Sequence, residues 1–202
     1  MDESGSVGQD DFRRSLDAIS NTVDKLGICE KLIHVGLSMF GGTGTSRTGL
    51  DLSTSYDKSV IKHSISSIVY NRQGYTDIGD ALRYACEDMF LSKGERSGVP
   101  NYVVLMTDGK SNRGSIQTGV AACDSNNISI IAVGIGDGIS EAELLSIVSE
   151  PRYYINTTYM ELHESLLDIV TSSVNCSAGI SEVVLNCAQQ HHTAKINKND
   201  HI

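Results

Sequence analysis

The chain has 202 residues, with 16 Lys and Arg against 25 Asp and Glu and a formal charge of −9. Its 40% hydrophobic and 20% charged residues mark a chain that folds as about one domain and exclude a disordered one. So acidic a chain is a poor non-specific binder of nucleic acid, and no apolar run approaches the roughly 18 residues that a membrane span needs.

The elements alternate along the chain. Phe12, Leu16, Ile19, Val23 and Leu26 recur every three or four residues and predict a helix, with Asp10 and Asp11 in its first turn, where negative charge suits the helix dipole. Residues 32–40 form an apolar run with partial alternation, expected as a strand. Residues 41–46 read as a turn, and Thr48 to Leu52 as a short antiparallel strand returning beside it. A helix is expected over Ser59–Val69, and another over Ile78–Met89. The continuous apolar runs 101–107 and 128–135 predict fully buried parallel strands. Short helices are expected over 115–123 and 141–148, a short strand over 152–156, and a last helix over 161–174. Strands alternating with helices predict an α/β doubly wound fold, its mostly parallel sheet flanked by helices on both faces. The pattern stops after Cys176, so a domain is expected over 1–175, with 176–202 as an extension that is poorly ordered or begins a further segment.

Five cysteines, at 29, 86, 123, 176 and 187, form no C-x-x-C pair, which argues against a thiolate zinc site. Cys86 and Cys123 lie among apolar residues on helical faces and are expected as buried thiols. Cys176 and Cys187, outside the periodic region, are expected as disulfide partners. Sequons at Asn127, Asn156 and Asn175 occur about as often as chance allows and carry no weight. His191 and His192 read as a solvated tail.

In an open α/β sheet, ligands bind beyond the carboxyl ends of the strands. Three segments should meet there: residues 2–6 before the first helix, residues 74–79 before the helix that starts near Gly79, and residues 107–109 after a buried strand. They bring two carboxylates, Asp2 and Asp108, and three hydroxyls, Ser4, Ser6 and Thr76. These hard oxygen donors suit Mg²⁺ or Mn²⁺, or Ca²⁺ less strictly, and argue against zinc. Asp77 and Asp80 read as a solvated acidic rim, and Glu3 as facing away from the ion. Enzyme readings fit less well. An aspartyl-phosphate phosphatase wants a second Asp two residues after the first, where Ser4 stands. Ser6 lacks the G-x-S-x-G surround, and no glycine triplet with dinucleotide spacing joins a strand to a helix.

Asp2-x-Ser4-x-Ser6, Thr76 and Asp108-Gly109 resemble the metal-ion-dependent adhesion site of von Willebrand factor type A domains. The likeness extends through Gly74–Leu82, Val103–Ser111, 132–136 and Glu143-Leu144, about residues 1–175 in all. It implies that Ser4, Ser6 and Thr76 ligate the ion through their hydroxyls. Asp2 and Asp108 would bind it directly or through water, and an acidic residue of a protein partner would complete its shell. The resemblance further implies a non-enzymatic adhesion module of a secreted matrix protein or receptor ectodomain, using Mg²⁺ and binding an extracellular-matrix or cell-surface partner. An intracellular scaffold module, or less well a Mg²⁺-dependent phosphatase, stands as the alternative. The family carries an apolar strand before its first Asp, where this chain has only Met1. The central strand is therefore expected to be nearly missing and the chain to be a piece, with any signal peptide upstream of it.

Overall fold

The computed structural model describes residues 1–92, 96 and 98–173. Along them run α1 (Gly8–Lys25), β1 (Leu37–Met39), β2 (Arg47–Leu50), α2 (Lys58–Ser66), α3 (Ile78–Arg83), a π-helical stretch (Tyr84–Met89) and α4 (Phe90–Ser92). Then follow β3 (Asn101–Thr107), α5 (Ile116–Ser125), β4 (Ile128–Ile135), α6 (Glu141–Leu145), a 3₁₀ turn (Pro151–Tyr153), β5 (Tyr154–Thr157) and α7 (Leu162–Ser173). The expected boundary at 175, Cys176, Cys187, His191 and His192 lie outside the described residues.

Strand β4 divides the core. Side chains alternate across a strand. Ile131, Val133 and Ile135 therefore enter one apolar cluster, with Phe12, Leu16 and Val23 of α1, Ile61 and Ile65 of α2, and Leu166 and Val170 of α7. Ile128, Ile130 and Ala132 enter another, with Leu82 of α3, Cys86, Cys123 of α5 and Leu144 of α6. Helices thus cover both faces, as the α/β pattern predicts. β3, β4 and β5 are parallel neighbours in that order, with Val103 opposite Ile130 and Val133 opposite Ile155. β1 and β2 form a separate antiparallel pair.

Residues 1–3 lie between these two sheets. The Asp2 amide donates to the Met106 carbonyl (2.9 Å), and the Glu3 amide donates to the Phe40 carbonyl (2.8 Å). The Phe40 amide donates to the Met1 carbonyl (3.1 Å), and Asp2 and Phe40 pair in parallel. The spatial order is β2, β1, residues 1–3, β3, β4, β5, so the start of the chain sits at the sheet's centre. The terminal ammonium of Met1 donates to the Ser38 carbonyl (3.0 Å), and burial lowers its pKa to about 6.

Three expectations are corrected. The strand expected over 32–40 is regular only at Leu37–Met39, because its ladder with β2 loses register between Leu37 and Ser38. The helix expected over Ile78–Met89 widens into a π-helical turn from Tyr84 onward and continues to Ser92. Cys86 and Cys123 are not free thiols but a disulfide, with Cα atoms 5.1 Å apart. Two glycines allow that approach. A Cβ on Gly79 would lie 2.3 Å from the Ser115 carbonyl oxygen, and one on Gly119 would lie 2.4 Å from that of Gly79, so only glycines let α3 and α5 touch through backbone. Cys29 is also disulfide-bonded.

The Cys86–Cys123 bridge closes a loop of sequence separation 37, which should contribute about 2–4 kcal/mol by restricting the unfolded chain. Urea unfolding of the C86A/C123A variant should show that loss as a lower midpoint, with a slope at least as steep as the parent's because the unfolded chain is released. Equal midpoints for the variant and the parent would mean the bridge adds nothing.

Candidate metal centre

The loop from Asp2 to Val7 leaves the sheet's centre and enters α1. Asp2 folds it: one carboxylate oxygen accepts the Ser4 amide (2.8 Å), and the other accepts the Thr107 hydroxyl (2.6 Å) at the end of β3. Ser4 and Ser6 share a hydroxyl hydrogen bond (3.0 Å), and Ser6 donates to Asp108 (2.9 Å). Asp2, Ser4, Ser6 and Asp108 thus form one connected set at the carboxyl end of β3. Thr76 is buried in the loop before α3. Its amide donates to the Asn112 side chain (3.1 Å), and its carbonyl accepts the Asn112 amide (2.9 Å). The third segment is thereby tied to the loop that follows Asp108.

What clamps this loop was not readable in the sequence. Glu3 faces away from the hydroxyls, as expected, but it is wholly buried and ion-paired. Arg47 of β2 grips it with two hydrogen bonds, Nε to one oxygen (3.0 Å) and Nη2 to the other (2.7 Å), and the Asn71 amide adds a third (3.3 Å). The Tyr70 hydroxyl donates to the Ser4 carbonyl (2.8 Å). The solvated rim expected of Asp77 and Asp80 is also corrected. Asp77 is buried, caps α3 by accepting the Asp80 amide (3.0 Å), and accepts the Thr43 hydroxyl. Asp80 accepts the Gly44 amide, the Ser46 hydroxyl and the Arg83 guanidinium, so both acids are spent on local structure. A buried acid at a helix start needs donors, and the hydroxyl-rich loop 41–46 supplies them.

The electrostatics favour a cation. Burial pushes the Asp2 carboxyl above the usual carboxylate range, against the hydrogen bonds from Thr107 and Ser4. Burial likewise raises Asp108, and the nearby charge of Asp2 raises it further. Among the described residues neither is ion-paired with Arg or Lys, and none forms a cluster of three His, Cys, Asp or Glu. Two partly desolvated carboxylates short of positive charge, linked through serine hydroxyls, fit a hard divalent ion. Tyr159, between β5 and α7, lies beside Asp108, and burial and the charge of Asp108 push its phenol upward. Sequence reasoning missed it. Its one signal is its place after β5, at the sheet edge that also carries Asp108.

The sequence profile of the von Willebrand factor type A domain matches residues 1–168. The chain belongs to this family. It is 31% identical over 190 residues to von Willebrand factor A domain-containing protein 2 of Xenopus laevis, covering 94% of this chain and 23% of that protein. It is 32% identical over 168 residues to human matrilin-1, covering 81% of this chain and 33% of matrilin-1. The chain therefore spans about a quarter to a third of these curated relatives. Proximal thread matrix protein 1 from the mussel byssus, solved with its metal-ion-dependent adhesion motif occupied by zinc, superimposes with a TM-score of 0.77 at 28% identity. The match covers 84% of this chain and 45% of that one.

Two outcomes test the geometry. Arg47→Met leaves the Glu3 carboxylate buried and unpaired and should cost on the order of 3 kcal/mol in urea unfolding, with part of the loss recovered in the E3Q/R47M double variant. A loss within error of zero would make the pair incidental. Asp108→Asn keeps an acceptor for Ser6 but removes a half-buried charge. In EDTA it should melt at or above the parent's temperature. In Mg²⁺ at about 100 times the dissociation constant, the parent should gain about 2.7 kcal/mol and the variant should gain nothing. An equal gain in both would remove Asp108 from the site.

Proposed function

We propose that this domain is a divalent-cation-dependent protein-binding module of an extracellular protein. Asp2, Ser4, Ser6, Thr76 and Asp108 hold the ion, with Mg²⁺ as the native metal and Mn²⁺ or Ca²⁺ as substitutes. When bound, the ion supplies an electrophilic position for a carboxylate of a partner protein, in the matrix or on a cell surface. The observation that carries this reading is the pairing of Asp2 with Asp108. Two partly buried carboxylates converge at the carboxyl end of β3 with serine hydroxyls between them, and neither has a cationic side chain in an ion pair among the described residues.

The protein's own residues prepare the position. Thr107 and the Ser4 amide fix both oxygens of Asp2. Ser6 orients Asp108, and the Glu3–Arg47 clamp holds the backbone of residues 2–4. Location outside the cell is supported by the buried Cys86–Cys123 disulfide, which is expected to persist in oxidising compartments, and by the mussel matrix relative.

A biosensor surface carrying glutamate-containing peptides should capture the domain in Mg²⁺, release it in EDTA, and recapture it when Mg²⁺ returns. Thr76→Ala and Asp108→Asn should each weaken capture by about tenfold or more, since a lost charged contact is worth about 1.5–3 kcal/mol. Capture indifferent to EDTA would sink the proposal. Hydrolysis of para-nitrophenyl phosphate that depends on Asp2 would replace it with the phosphatase reading.

A further inference from the structure

The described arginines divide by what their guanidinium groups do. Arg13, Arg14, Arg47, Arg83, Arg96 and Arg152 each donate to a carboxylate or a main-chain carbonyl of this chain. The guanidinium groups of Arg72 and Arg113 make no hydrogen bond or ion pair among the described residues. Both border the candidate metal centre. A Cβ on Gly5, between Ser4 and Ser6, would lie 3.7 Å from the Nε atom of Arg72. The Arg113 guanidinium lies over the ring of Tyr75, 4.1 Å from its centroid, and Tyr75 immediately precedes Thr76. On a chain of net charge −9, the unspent guanidinium groups are gathered at this site.

Arg113 is also held in place. Asn112 is bonded twice to Thr76, its side chain accepting the Thr76 amide (3.1 Å) and its amide donating to the Thr76 carbonyl (2.9 Å). The Ser111 hydroxyl donates to the Arg113 carbonyl (3.0 Å). Gly114 turns the chain at a φ of +65°, where a Cβ would lie 2.6 Å from the buried Asp77 carboxylate. The backbone beneath Arg113 is thus fixed before and after it, and Tyr75 fixes the side chain. Stacking uses the flat face of a guanidinium and leaves the N–H donors in its plane free, and that fork grips a carboxylate through two parallel hydrogen bonds. Tyr75 is 50% exposed and Arg113 is exposed, so the pair is reachable from solution. Glu143, the acid lining the same shallow hollow, accepts the Ser111 amide (2.8 Å) and forms no ion pair with Arg113.

We infer that Arg113, stacked on Tyr75, is a second subsite beside the ion and takes a second carboxylate of the same partner protein. The recognised segment therefore carries two acids, one for the ion and one for the Arg113 fork. This subsite rests on the proposed metal reading and deepens it: a bound ion would accept any exposed carboxylate, and Arg113 chooses among them. Because the guanidinium is already ordered on its ring, little freedom is left to lose on binding. Arg72, against Gly5, adds positive charge at the same rim.

The test uses the full 202-residue chain and immobilised Gly-Ser peptides. One peptide carries a single glutamate. A series adds a second glutamate one to five residues away on either side, and a control series has glutamine at that second position. In Mg²⁺, at least one spacing should bind about fivefold or more tighter than its glutamine control, and added salt should shrink that preference. R113Q should abolish the preference. R113K should keep part of it, since lysine retains the charge without the fork, and Y75A should reduce it by removing the platform. No preference at any spacing would overturn the inference, as would a preference that R113Q leaves intact. Capture on heparin through Arg113 in EDTA, stronger than on any two-acid peptide, would overturn it in favour of a sulfated glycan. Single-glutamate capture that ignores EDTA would instead overturn the metal reading on which the subsite rests.

Discussion

Three backbone hydrogen bonds carry the join on which this molecule depends: Asp2 to Met106, Glu3 to Phe40, and Phe40 to Met1. They tie an antiparallel pair to a parallel triple through a few residues of extended chain, and those residues also begin the candidate metal loop. The side chains defend the join. Glu3 is held by Arg47 from the β2 side, and Asp2 by Thr107 from the β3 side, so neighbouring residues are fastened to opposite sheets. This segment is held by more than packing. Its charged and polar groups are buried because each has a donor waiting for it.

The parts legible in the sequence were those governed by local pattern. Residues 101–107 and 128–135 are continuous apolar runs because helices cover both faces of the sheet. Asp2, Ser4, Ser6 and Asp108 could be grouped because the carboxyl ends of parallel strands are a shared location in this kind of fold. What escaped was set by contacts distant along the chain. Cys86 and Cys123 each look like a core thiol on its own helix, and only the glycine-to-backbone contact of α3 with α5 brings them within bonding range. Arg47 gives no hint that its partner is Glu3, 44 residues earlier. Asp77 looked like a surface acid because its donor, Thr43, lies in a loop whose path depends on where β1 and β2 sit. The regular part of β1 shrank for the same reason: a strand's extent depends on its neighbours' edges as much as on its own residues.

Membership of the von Willebrand factor type A family and the matrix relatives give the site its most economical reading, yet that reading rests on chemistry the chain itself displays. Glu3 and Asp80, which serve the scaffold, are each ion-paired with an arginine. Asp2 and Asp108 have donors but no counter-charge from Arg or Lys among the described residues, and both are held in the less ionisable direction by burial. The contrast of Glu3 and Asp80 with Asp2 and Asp108 separates scaffold from candidate ligand.

The hydrogen bonds among Ser4, Ser6 and Asp108 have a kinetic consequence. In the protein alone these groups already satisfy one another, so the loop has no folding step left to perform when a cation arrives. Under the proposed reading, an ion would instead compete with hydroxyl protons for the same oxygen lone pairs, and it would shed water to do so. With the scaffold rigid, the slow step of loading falls to the ion's own hydration shell. Mg²⁺, which dehydrates reluctantly, should therefore load more slowly than Ca²⁺ even where it is held more tightly. The order in which ions enter this pocket need not be the order in which they are kept.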